Sequence, residues 1–162
     1  MTPDDYVGEA DEAYGNRVFL RHYCLHLAGP DPSTELPDFP ADARAARGFN
    51  GDIDRLLRRW RAALSRDDAS NLSRRVARKS LLAVAGLVSV HDGTWTTDRA
   101  AAAARWAEID PSLAPGLARL VALCDGGGAS ADETAELLAS GGIAERIATR
   151  FATDIGLWPA LD

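Results

Sequence analysis

The sequence predicts a mainly α protein, a helical bundle with one candidate short strand near its N-terminus. Three observations carry this expectation. The stretch from Asn71 to Asp98 opens with a basic turn, runs through apolar or small residues from Leu81 to Val90 and stops at His91-Asp92-Gly93, the pattern of a long helix ended by glycine. Ile53, Leu56, Leu57, Trp60, Ala63 and Leu64 recur at three- and four-residue spacing, with Arg55, Arg58, Arg59 and Arg61 on the opposite side, so an amphipathic helix is expected there. Ser130 and Glu133 have the spacing of a capping box, in which each side chain satisfies a backbone N–H at a helix start.

At 162 residues the chain fits one domain and is long enough to bury a real core. It divides into an acidic N-terminal segment, residues 1–16, and a helical domain, residues 17–162. The acidic segment has room for one short helix from Asp4 to Tyr14. Arg17 to Leu27, RVFLRHYCLHL, alternates in part and is rich in apolar and aromatic residues; it is the candidate strand, and a short helix explains it nearly as well. A lone strand is not stable in water, so a strand here would need a second copy or another chain beside it. The proline-rich Gly29 to Asp42 is an extended loop.

Asp42 or Ala41 then starts a short helix to Arg47, closed by Gly48, and Asn50 or Asp52 caps the helix of Ile53 to Leu64. The polar link Ser65 to Ser70 leads into the long helix. Its run from Leu81 to Val88 is apolar nearly all round, which places it in the middle of the bundle. After Gly93, Thr97 caps a helix through Ala100 to Ile109, with Trp106 as its large core residue and an alanine face for close packing. Asp110-Pro111 ends that helix and starts another, Ser112 to Leu123. Gly126-Gly127-Gly128 is a break, Thr134 to Ala139 and Ile143 to Ile155 form a final helical pair around Gly141-Gly142, and Trp158 and Leu161 fold back on the core.

The net charge of -6 is unevenly placed, since eleven basic residues against four acids fall between Arg44 and Lys79. A basic belt on an acidic body can hold a phosphate-bearing ligand or an acidic partner, and it can equally be a solvated face of amphipathic helices. General nucleic-acid binding is not expected, because the overall sign is wrong and only Trp60 interleaves the arginines. Cys24 and Cys124 sit in apolar runs with no CxxC spacing, so they read as small core residues and suggest neither a disulfide framework nor a metal site. The acidic N-terminus is unlike a signal peptide and no apolar run approaches membrane-spanning length, so a cytoplasmic location is expected, with no membrane partner.

Few patterns carry chemistry. Arg17 with His22 and Arg21 with His26 have a spacing similar to that of the HEPN ribonucleases, in which such a pair acts on a scissile phosphate and its 2'-hydroxyl. The plainer reading of both histidines is a core or strand position. Asp52 and Asp54 form a DxD, a magnesium-holding pattern on a strand; at a helix start the same pair simply complements the helix dipole. Gly126-Gly127-Gly128 lacks the lysine and hydroxyl of a P-loop, and no Ser-His-Asp or Cys-His arrangement stands at recognisable spacing.

The segments LHLAGPDPSTELPDFPAD and ARKSLLAVAGLVSVHDGTWTTDRAAAAARWAEIDPSLAPGL together resemble the C-terminal helical portion of nucleotidyltransferases similar to aminoglycoside adenylyltransferases. The resemblance rests on the Gly29-Pro30-Asp31-Pro32 turn, the long helix reaching Gly93 and the alanine-rich helix from Ala100 to Trp106. It implies a domain that holds substrate or nucleotide in antibiotic modification or biosynthesis and is catalytically incomplete alone, because the Gly-Ser turn and strand Asp-x-Asp signature of that superfamily are missing. Under this resemblance, Arg74, Arg75, Arg78, Lys79 and Arg99 are nucleotide-binding candidates, and Trp95 and Asp98 are substrate-binding ones. No catalytic or metal-binding residue is assigned. ATP with Mg2+ enters only if a catalytic nucleotidyltransferase domain is supplied as a partner. The alternative is a non-catalytic helical interaction module that forms a homo-oligomer or binds a partner through Arg17 to Leu27.

Overall fold

The computed structural model describes residues 7–31 and 33–159, which form a mainly α bundle with no strand among them. The helices are α1 (Asp11–His22), α2 (Ala43–Asn50), α3 (Ile53–Ala63), α4 (Ala69–Asp92), α5 (Arg99–Ile109), α6 (Ala114–Asp125), α7 (Ala131–Leu138) and α8 (Ile143–Asp154), with a 3-10 turn at Pro111–Leu113 before α6. None of them is long and apolar enough to cross a membrane.

The long helix α4 is the axis on which α2, α3, α5, α6, α7 and α8 all pack. Its ends are fixed by local chemistry. The Asp68 carboxylate accepts the Asn71 N–H at 2.9 Å, and Gly93 closes the other end in the left-handed conformation, φ 66. Between them Leu72, Val76, Leu81, Val84, Leu87 and Val88 are buried, as a helix apolar nearly all round requires. One stripe stays open: Leu82 is 38% exposed, and Gly86, one turn on, presents no side chain. Elsewhere on α4, Ala102 and Ala103 let α5 lie close, and Trp106 is buried in the same core as Phe151 and Leu120.

Arg17 to His22 belongs to a helix and not to a strand. Helical spacing turns Gly15 and Val18 onto one face, which α2 buries. A Cβ on Gly15 would stand 2.7 Å from the Gly48 carbonyl carbon, and one on Gly48 would stand 2.6 Å from Gly15 Cα, so two glycines let the backbones of α1 and α2 meet. Gly48 therefore lies inside α2, which continues to Asn50, and does not end it. α1 also spans the boundary drawn at residue 16, with Asp11 and Glu12 in its first turn.

Two smaller expectations change as well. Asp98, not Thr97, caps α5, its carboxylate accepting the Ala100 and Ala101 N–H groups at 2.9 and 3.0 Å. Cys24 is exposed on the segment after α1, and Cys124 is half-buried, its thiol pushed up by burial. Trp158 does return to the body, its backbone N–H donating to Gly51 O at 2.9 Å and its indole to Arg47 O at 2.7 Å. Leu161, Pro32 and the Asp4 start of the first helix lie outside the described residues.

The basic belt between Arg44 and Lys79 is mostly turned to structural use. Arg47 joins Asp11 of α1 to the Ile155 carbonyl after α8, and Arg61 donates to Leu138 O at 2.7 Å and pairs with Glu145 at 3.0 Å. Lys79 pairs with Asp52 at 2.8 Å and Arg58 with Asp54 at 2.8 Å, so the DxD carboxylates are both engaged by cations. Arg59 and Arg78 are the exceptions within the belt, forming no hydrogen bond or ion pair with a described residue.

Candidate functional site

The open stripe of α4 is the floor of a cleft of about 320 Å³, within the size range of small-molecule sites. α1 contributes Phe19 and Tyr23, α2 contributes Ala46, Phe49 and Asn50, and the segment after Gly93 contributes Trp95, Thr96, Thr97 and Arg99. The floor itself is Leu82, Ala85, Gly86 and Ser89. A Cβ on Gly86 would stand 3.3 Å from Ala46 Cβ, slightly tighter than ordinary contact, and 3.4 Å from Phe151, so the floor is closely packed there.

An aromatic lattice holds the walls upright. Tyr23 meets Phe49 edge-on at 5.9 Å and Trp95 at 6.0 Å, while Tyr14 meets Phe39 at 5.2 Å. The Trp95 indole N–H donates to the Phe39 carbonyl at 3.2 Å, and the Phe39 N–H donates to His22 Nε2 at 3.0 Å. Ser89 pins the returning segment to α4: its hydroxyl donates to Ala85 O at 2.7 Å and accepts the Thr96 N–H at 3.1 Å. Burial pushes the Tyr23 phenol upward, so it stays a neutral hydroxyl at physiological pH.

Asn50 is the unusual polar member of the cleft. It is 3% exposed; its Nδ2 donates to the Leu82 carbonyl at 3.2 Å, and its Oδ1 is buried with no hydrogen-bond partner among the described residues. A buried acceptor left unmade costs about 1–3 kcal/mol, so such a group calls for an explanation.

A second cleft, about 510 Å³, adjoins the first between α4, α5 and α6 and is lined by Arg78, Leu81, Thr97, Asp98, Arg99, Ala100, Val121, Cys124 and Asp125. Thr97 and Arg99 line both clefts. Arg78 and Arg99 form no hydrogen bond or ion pair with a described residue, whereas the Asp98 carboxylate is committed to capping α5.

The residues singled out in the sequence are thus divided. Arg78, Asp98 and Arg99 come together in the polar cleft, and Trp95 stands in the aromatic one beside Arg99. Arg74 donates to Ser70 O at 3.2 Å, Arg75 pairs with Asp67 at 3.4 Å and Lys79 faces Asp52, so these three do not join them. Of the Arg-His pairs, Arg17 donates to Gly8 O and Arg21 to Asp38, while His26 lies beyond α1 and donates to Gly29 O at 2.7 Å. Phe19, Tyr23, Phe49 and Asn50 carried no signal of a site. The first two read as strand residues and Asn50 as a helix cap.

Among the described residues, no group of three or more His, Cys, Asp or Glu is placed to hold a metal ion. No protein-family model, curated protein or solved structure matches the chain.

Proposed function

We propose that this chain is a ligand-binding helical domain, the nucleotide- or substrate-holding part of a nucleotidyltransferase-like assembly whose catalytic residues come from a partner domain. The ligand lies across the two joined clefts, its planar apolar part among Phe19, Tyr23, Phe49 and Trp95 and its anionic part against Arg99 and Arg78. The observation that carries this reading is that Arg99, which forms no hydrogen bond or ion pair with a described residue, lines both an aromatic-walled cleft and a polar one. Aromatic walls suit a flat ring, and guanidinium groups suit phosphate or carboxylate. ATP with Mg2+ is the cofactor pair such an assembly would use, the metal being held by the partner.

Calorimetric titration with adenosine monophosphate tests this. Arg99→Ala and Arg78→Ala each weaken binding about tenfold, the size of a lost charge-assisted hydrogen bond, at an unchanged melting temperature, while Arg75→Ala leaves it alone. Absence of binding at millimolar nucleotide, or an equal loss in Arg75→Ala, defeats the proposal.

A second reading has its own observation. Leu25 and Leu27 are 86% and 90% exposed on the segment after α1, an apolar edge that suits a non-catalytic interaction module or homo-oligomer. Native mass measured on the wild type and on a Leu25→Ser, Leu27→Ser variant tests it: a higher-order species that the variant abolishes supports this role, and a wild-type monomer opposes it.

A further inference from the structure

The aromatic cleft carries two opposite charges that do not meet. Asp42 and Arg99 both line it, yet they form no ion pair with each other or with any other described residue. Asp42 stands at the start of α2, where its Oδ1 caps the helix by accepting the Ala45 N–H at 2.8 Å, and its Oδ2 forms no hydrogen bond with a described residue. Arg99 comes from the first turn of α5. The Tyr23, Thr96 and Thr97 hydroxyls also line the cleft and form no hydrogen bond with a described residue; a hydroxyl donates or accepts, so these three complete a ligand's hydrogen bonds without choosing its charge. Asn50 takes no part, because its unmatched Oδ1 is closed off from the cleft.

We infer that the cleft takes a small zwitterion, a flat aromatic ring whose short tail bears both a carboxylate and an ammonium, as in an aromatic amino acid. The carboxylate pairs with Arg99, the ammonium with Asp42 Oδ2, and the ring lies among the aromatic walls. This rests on the ligand-binding reading above and adds to it the cation that the ligand must carry. A ligand with a carboxylate alone is attracted by Arg99 and repelled by Asp42, and one with an ammonium alone meets the reverse. The adjoining cleft makes the same demand, since Asp98 and Asp125 share it with Arg78 and Arg99. At about 320 Å³ the aromatic cleft is at the small end of ligand sites, with room for one fused ring and its tail.

The test uses three ligands with one ring, titrated calorimetrically into the full chain: tryptophan, indole-3-propionate, which lacks the ammonium, and tryptamine, which lacks the carboxylate. The wild type prefers tryptophan to each of the others by about tenfold, the worth of one charge-assisted contact. The variants then divide the two preferences. Asp42→Asn loses the preference over indole-3-propionate and keeps that over tryptamine, while Arg99→Ala does the opposite. Asp42→Asn is expected to fold with an unchanged melting temperature, because the asparagine oxygen caps α2 as the carboxylate does. Indole-3-propionate binding the wild type as tightly as tryptophan, or a preference that survives Asp42→Asn, overturns the inference while the cleft remains a binding site. Binding of none of the three also overturns it, and adenosine monophosphate binding that is lost in Arg99→Ala then decides separately whether the broader reading survives.

Discussion

Gly15→Ala tests whether the first helix is held by backbone contact with α2. A glycine replaced by alanine in a helix interior ordinarily gains about 0.5–1 kcal/mol, because glycine loses more conformational freedom on folding. Here the new Cβ would lie 2.7, 2.8 and 3.0 Å from Gly48 backbone atoms, about 0.7 Å inside the 3.4 Å at which ordinary contact begins. Backbone cannot rotate away as a side chain can, so α1 must lift off α2. Overpacking of this kind costs about 1–3 kcal/mol, which exceeds the propensity gain and leaves a net loss of about 1–2 kcal/mol. The loss should be local, since α2 is the main neighbour of α1, and it should carry Phe19 and Tyr23 away from the cleft. Urea denaturation gives the global change, and amide hydrogen exchange shows whether α1 opens on its own. Gly116→Ala is the comparison. Its Cβ would stand 2.5, 2.7 and 3.1 Å from Ile143 Cδ1, Cγ1 and Cβ, side-chain atoms that can shift further than backbone can, so it should cost less than Gly15→Ala. A Gly15→Ala protein as stable as the wild type, with α1 amides still protected, would refute the reasoning.

Two further perturbations act on the frame around the clefts. Gly93→Ala places a side chain in the left-handed conformation, φ 66, and should cost about 1 kcal/mol while shifting the segment that carries Trp95 and Arg99; a thermal melt and a ligand titration read the two effects separately. Asp92 is held down to about 2 by hydrogen bonds from Arg105, chiefly, and from His91, so its folded carboxyl lies below the ordinary 3.8. A depressed carboxyl stabilises the fold fully above its unfolded value and loses that contribution as pH falls through the folded one. Between 3.8 and about 2 the wild type should therefore lose stability more steeply than Asp92→Asn, in denaturation series collected across that window. Parallel acid limbs would show that the Arg105–Asp92 clasp of α4 to α5 contributes nothing.

The helices from α3 onward were legible because their signals are local. The three- and four-residue period of Ile53 to Leu64, the glycine at 93 and the Ser130–Glu133 box each decide a helix or its end with no help from distant residues. α1 was not legible in the same way. Val18 and Leu20, and then Tyr23, Leu25 and Leu27, alternate as a strand would, while Gly15, Val18 and His22 keep a helical spacing, and the choice is made by Gly15 meeting Gly48, a contact between residues far apart in sequence. That contact also explains why Gly48 did not act as a helix stop. Thr97 and Asp98 are adjacent cap formers, and the carboxylate wins by taking two N–H groups at once. For the site, spacing brought Asp98 and Arg99 into view, and helical geometry puts Arg78 on a different side of α4 from Lys79. Which arginines stay unpaired depends on where Asp11, Asp52, Asp67 and Glu145 fall in space, and no sequence pattern states that. The aromatic walls were hidden for the same reason, being contributed by three separate segments.

The central proposal is that the aromatic and polar clefts form one ligand site joined at Thr97 and Arg99. An amide-resolved NMR titration with adenosine monophosphate tests it most directly. A joined site predicts saturable shifts at the Trp95 indole N–H, at Gly86, Thr97 and Arg99 and at the Arg78 turn of α4, all fitting one dissociation constant. Shifts confined to the α3 and α8 face, or none at millimolar nucleotide, would contradict it.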